Sequence, residues 1–119
     1  MDSCMDKYDI KMLDRIDAAV TVCDKNLAVV YINDKAAATF ASQGGASLKG
    51  KNLAACHKAS SVEKIFRIME TGKPNVYTIE KAGVHKLIWQ APWRQNGEVA
   101  GVVEIAVELP DDMPNYVRS

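Results

Sequence analysis

The sequence has little to catalyse with. It holds only two histidines, His57 and His85. It has no G-x-S-x-G, no H-E-x-x-H, no P-loop and no G-x-G-x-x-G. Ser42 and Ser60 have no evident base and orienting group, so the sequence reads as no enzyme. Charge of either sign is not in excess: 15 basic residues balance 15 acidic ones. No basic cluster exceeds two neighbours, so a phosphate-tracking surface, and with it direct nucleic-acid binding, is not expected. Three cysteines, Cys4, Cys23 and Cys56, are too few and too scattered for a zinc site or a disulfide framework. No apolar run approaches the roughly 20 residues of a membrane span. The opening Met-Asp-Ser-Cys-Met-Asp-Lys lacks the basic and apolar regions of a secretory signal. A cytoplasmic chain with reduced thiols and no membrane partner is the resulting expectation.

What is present suits one folded domain. The chain has 119 residues, 48% of them apolar and 25% charged, enough for a single hydrophobic core. Residues 3–17 carry Met5, Tyr8, Met12, Leu13 and Ile16 at near-helical spacing, with Ser3 as a candidate N-cap. Such a helix either folds on its own core or packs on a sheet and on a second copy of itself. Two runs rich in β-branched residues, 18–23 and 27–32, flank the polar turn Asp24-Lys25-Asn26 and predict an antiparallel hairpin. Asn33-Asp34 before an alanine run predicts a capped helix over 34–41. Paired glycines, Gly44-Gly45, mark a loop. Ser60 with Glu63 predicts a capping box and a helix over 61–71, with Val62, Ile65, Phe66 and Met69 on one face, stopped by Gly72.

Three strands follow, over 75–81, 84–94 and 99–109, with Asn96-Gly97 as a tight hairpin turn. Alternation places Leu87, Trp89, Ala91 and Trp93 on one face of the second, and Val99, Gly101, Val103, Ile105 and Val107 on one face of the third. Strands on both sides of a helical block predict an α+β domain with helices on one face of an antiparallel sheet.

The residues Asp24, Val-Val-Tyr-Ile-Asn over 29–33, Leu-Lys-Gly-Lys-Asn-Leu over 48–53 and Asn-Gly-Glu-Val-Ala-Gly over 96–101, in this order and spacing, resemble the PAS family. The segment Leu53-x-x-Cys56-His57, followed by Ser60-Ser61-Val62, further resembles a subgroup of small bacterial PAS sensors. Members of that subgroup often continue Cys-His with Pro-Pro, where Lys58-Ala59 stands here. The resemblance implies a five-stranded sheet ordered 2-1-5-4-3. It also implies a division into an N-terminal helix (1–17), a PAS domain (18–109) and a flexible tail (110–119). It implies a sensory, signal-transducing module that binds a small ligand and homodimerises to regulate a signalling partner, as in two-component signalling or regulation of transcription. The usual output domains do not follow residue 109, so the chain reads as a stand-alone receiver or a piece of a longer protein.

The expected ligand contacts are Val22, Tyr31, Asn33, Ile65, Met69, Leu87, Trp89 and Val103, with Cys56 and His57 at the rim. His85 is a further polar contact. The expected dimer contacts are Tyr8, Met12, Ile16, Ile88 and Val102. A rival reading makes the chain a ligand-free interaction module that docks through an outer sheet face of Ile88, Gln90, Val102 and Ala106. A third reading makes Cys56 and His57 a haem or redox site, since a thiol near a helix start can have a lowered pKa. The plainer reading of that pair is a buried cysteine and a hydrogen-bonded histidine. The helix over 61–71 holds no histidine, which argues against haem. The residues of light-oxygen-voltage flavin domains and of photoactive yellow protein are absent. No cofactor or metal is required.

Overall fold

The computed structural model describes residues 11–55 and 57–119; Ser3, Cys4, Met5, Tyr8 and Cys56 lie outside the described residues. The hairpin is formed by β1 (Ala19–Asp24) and β2 (Val29–Ile32). Its turn is held by Asp24, whose Oδ1 accepts from the backbone N–H groups of Asn26 and Ala28 at 2.9 and 3.0 Å. Leu27 takes a left-handed φ of 70° in that turn while its side chain is buried, which ends β1 and delays β2 to Val29.

Asn33 then caps α1 (Asp34–Thr39) by accepting from the N–H of Ala36. Three 3-10 turns, Ala41–Gln43, Gly45–Leu48 and Leu53–Ala55, carry the chain to α2 (Ala59–Thr71). Helix α2 begins earlier than the expected capping box. Lys58 is its N-cap and makes no side-chain capping bond, while the Lys58 carbonyl accepts from Ser61 and Val62. Gly72, at φ 71°, terminates it as expected.

Strands β3 (Asn75–Lys81), β4 (Val84–Gln95) and β5 (Glu98–Leu109) complete one antiparallel sheet. Two-residue turns at Ala82-Gly83 and Asn96-Gly97 join them, all four residues at positive φ, which matches the twist of the flanking strands. The sheet order is β2-β1-β5-β4-β3, as the resemblance implied.

Helix α2 packs on one face of this sheet. Cys23, Leu27, Ile68 and Val102 form a buried cluster, with Leu53, Val62, Ile65 and Met69 against it. The buried stripe of α2 therefore includes Ile68, while Phe66 stands 47% exposed, a rotation of the expected face.

The sheet is turned over relative to the expectation. Val102 and Ile88 are buried beneath the helices, whereas Trp89 on the opposite face is 39% exposed. Register fixes the rest, because neighbouring residues on a strand point to opposite faces. Ile88 is paired with Ala106, Gln90 with Glu104 and Cys23 with Val102, all on the helix-covered inner face. Trp89 with Ile105, Leu87 with Val107 and Val22 with Val103 lie on the outer face.

Candidate functional site

One row of paired residues crosses the inner face of four strands. Asn75 of β3 pairs with Gln90 of β4, Gln90 with Glu104 of β5, and Glu104 with Thr21 of β1. All four are polar, at the centre of a face that must pack against helices. The Asn75 amide Nδ2 donates to Gln90 Oε1 at 3.0 Å, and Gln90 in turn faces the Glu104 carboxylate and favours its charged form.

Above this row the helices do not close. A cavity of about 220 Å³ lies between the sheet and the helical block, with Thr21, Gln90 and Glu104 on its floor. Its walls are apolar: Val29, Ile32, Phe40, Leu48, Leu53 and Ile65. Tyr77, His57, Ser61, Lys64 and Gln43 complete the lining, and His57, Lys64 and Gln43 are exposed, so they mark the mouth. A second hollow of about 200 Å³ adjoins it through Thr21, Phe40, Tyr77 and Glu104, and reaches Ile79, Ile88, Ala106 and Lys86. Glu104 is common to both. Drug-sized pockets span roughly 300–1,000 Å³, so the main cavity suits a smaller ligand, with an apolar body and one polar anchor.

Burial raises the pKa of the Glu104 carboxyl above the ordinary carboxylate range; Gln90 beside it and His57 at the mouth pull it back in part. Tyr77 is raised by burial and by the negative charge of Glu104. A carboxyl whose folded pKa is lifted stabilises the fold only while it is protonated. That contribution is complete below the unfolded pKa and disappears as pH rises through the folded value. Glu104→Gln is therefore expected to melt higher than the wild type at pH 7. The gain should vanish when both are melted below about pH 4, near the ordinary carboxylate range. Thermal unfolding of both proteins across pH 3.5–8 checks this, and a variant that melts lower at pH 7 contradicts it.

The expected contacts divide between the two faces. Ile65 and His57 line the cavity, and Met69 packs on the core cluster beside it. Val22, Leu87, Trp89 and Val103 lie on the outer face, away from the cavity. Tyr31 pairs with Val22 on that face and donates to the Asp14 carboxylate, which raises its pKa further after burial has done so. Asn33 is 1% exposed and fully engaged with backbone groups. His85 lies at the sheet's surface, 3.7 Å from Glu80. Among the expected dimer contacts, Met12 and Ile16 are exposed, whereas Ile88 and Val102 are buried under the helices. Ile88, Gln90, Val102 and Ala106 thus belong to the cavity side rather than to an outer docking face. Tyr8 and Cys56 lie outside the described residues. Cys23 is buried, and desolvation raises its thiol pKa, which disfavours the thiolate.

Sequence reasoning missed Glu104, Gln90 and Thr21. The available signal was a carboxylate in the middle of Val-Val-Glu-Ile-Ala-Val, a charge inside an otherwise apolar central strand. Among the described residues no three His, Cys, Asp or Glu side chains gather to hold a metal. None of their helices is long and apolar enough to cross a membrane.

Comparison of the sequence with protein-family models and with curated proteins finds no match. Solved structures do match. The Vibrio cholerae VqmA–ligand–DNA complex superposes with a TM-score of 0.65 at 18% identity, over 86% of this chain and 50% of VqmA. The PAS domain of the histidine kinase ThkA superposes with a TM-score of 0.63 at 16% identity, over 76% of this chain and 98% of that domain. Aer2 from Vibrio cholerae, described as a dual PAS-haem oxygen sensor, gives a TM-score of 0.59 at 18% identity, over 78% and 95%. The chain spans about half the length of VqmA. Because VqmA is in complex with DNA, the expectation of no nucleic-acid partner draws no support from these neighbours.

Proposed function

From a PAS fold with a polar-floored cavity beneath its helices, we propose that this chain is a sensory module that binds a small molecule there. Binding would bias the fold toward one conformer and pass that bias to a second copy or a partner protein. The observation that carries this reading is the cavity itself, with apolar walls, a hydrogen-bonded row across its floor and a mouth between the helices. Three further facts support it. The floor residues Thr21, Gln90 and Glu104 sit on the three central strands. The walls join β2 (Val29, Ile32) to the end of α1 (Phe40), two 3-10 turns (Leu48, Leu53) and α2 (Ile65). VqmA, one neighbour of this fold, is in complex with a ligand.

Haem does not suit the residues present. α2 carries no histidine, His57 stands exposed at the mouth, and the cavity is small. Redox sensing through Cys23 is disfavoured by its burial.

The outer face carries a second role in this reading. Trp89 and Val76 pair there and stand 39% and 50% exposed, and Met12 and Ile16 of the preceding segment are exposed as well. Homodimerisation, or docking of a signalling partner, would cover them.

Paired variants test the division of labour. Ile65→Trp, which fills the cavity, should abolish thermal stabilisation by any bound metabolite and leave the oligomeric state unchanged. Trp89→Ala should keep ligand binding and weaken self-association by about tenfold, read by analytical ultracentrifugation. Loss of ligand binding in Trp89→Ala with retention in Ile65→Trp would overturn the assignment of the two faces.

A further inference from the structure

Glu104 is placed as an anchor awaiting a counter-charge. It lies at the junction of both inner hollows and accepts from Gln90 alone among the side-chain donors described there. An ionised carboxylate has about four acceptor sites, so most of its capacity faces the cavity. No Lys or Arg among the described residues forms an ion pair with it; the ion pairs there are Lys35–Asp17 and His85–Glu80. Gln90, held by Asn75, favours the charged form of this carboxylate, whereas burial opposes it, so a cationic partner in the cavity would relieve that burial. His57 at the mouth favours the charged form of Glu104 through its field, but it and Lys64 are exposed and neither forms an ion pair with the carboxylate.

We propose that the cavity selects a small, flat ligand carrying a protonated amine or amidine nitrogen, held against Glu104, with its apolar body between Phe40 and Ile65. The inference rests on the ligand-binding reading above and specifies the chemistry of that same site. A charge-assisted hydrogen bond at the floor is stronger than a neutral one, and a buried anion left unpaired by a neutral or anionic ligand is costly. A negatively charged ligand end would meet Glu104 directly and be rejected.

Three probes of nearly equal shape test this: benzamidine, benzamide and benzoate, which are cationic, neutral and anionic. Each is titrated into labelled protein and followed through the backbone amides of Thr21, Ile65, Tyr77 and Gln90. Benzamidine should bind at least about tenfold more tightly than benzamide, and benzoate should leave these amides unmoved. Glu104→Gln should remove the preference for benzamidine while benzamide binding persists. Equal or tighter binding of benzamide or benzoate to the wild type overturns the charge inference and leaves the ligand-binding reading standing. So does an unchanged benzamidine affinity in Glu104→Gln. If none of the three moves any cavity amide, both the inference and the reading it rests on are overturned. The comparison of probes on the wild type needs no variant to fold.

Discussion

Replacing Asn33 with alanine should cost about 3–5 kcal/mol and lower the melting temperature by roughly 10–20 °C. The residue is buried and makes four hydrogen bonds to backbone groups. Its Oδ1 accepts from Val20 N–H and Ala36 N–H, both at 3.0 Å. Its Nδ2 donates to the carbonyls of Leu13 at 3.0 Å and Ala18 at 2.8 Å. One side chain thus joins β1, the start of α1 and the segment that precedes the sheet. Alanine would leave all four partners in a place water reaches poorly, and each unsatisfied buried group costs about 1–3 kcal/mol. Asn33→Ser should recover part of the loss, since its hydroxyl can still cap α1 but cannot reach both carbonyls. Chemical denaturation measures the loss, and a deficit under 1 kcal/mol in Asn33→Ala would show that water replaces these bonds freely. As the domain holds only about 0.05–0.15 kcal/mol per residue, the predicted loss is a large share of the total.

Gly101→Ala should be similarly severe, for a different reason. Trp93 of β4 pairs with Gly101 of β5, and its indole N–H crosses that glycine to donate to the Cys23 carbonyl of β1 at 2.9 Å. A Cβ on residue 101 would stand 1.9 Å from that carbonyl oxygen and 2.8 Å from the Asp24 Cα. Both are backbone atoms of a central strand, so no side chain can swing aside. We expect a loss of about 3 kcal/mol or more, or failure to fold. Trp93→Phe, which removes only the hydrogen bond and some contact area, should cost about 1–2 kcal/mol. The double variant should not be rescued: removing the indole relieves the contact of that Cβ with Trp93 Nε1 at 2.6 Å but leaves the closer one with the Cys23 carbonyl of β1. If Trp93→Phe restored Gly101→Ala to near wild-type stability, the strain would lie in the ring alone.

Local chemistry made most of the elements legible. Asn96-Gly97 announces its turn, Gly72 its helix end and Asn33 its cap, because each signal acts on the nearest few residues. Strand β3 begins and ends where its composition places it. The order of the sheet came only through a family resemblance, since no local rule says which strands pair.

The inner face was misread because both faces of β4 and β5 are substantially apolar. Leu87, Trp89, Val103 and Ile105 outweigh Ile88, Gln90, Val102 and Glu104 in hydropathy, so the richer face was turned inward. The fold instead spends that face on the outside, where Trp89 stands 39% exposed, and keeps Glu104 and Gln90 beneath the helices. That inversion is itself informative: a polar row under a helical cover is costly to build unless its groups are paired or used. Asn33 was legible as a cap and offered as a ligand contact, but its bonds to Leu13 and Ala18 span a fold contact that no local pattern encodes. The extent of α2 was misjudged because the Lys58 carbonyl, not a serine hydroxyl, begins the helix.

A small molecule held in the cavity above Glu104 should be visible by native mass spectrometry of the purified wild type, run beside Ile65→Trp. The wild type should carry a bound small molecule, released on denaturation and missing from the filled variant. An adduct held equally by both proteins would place the ligand elsewhere and overturn the cavity as the binding site.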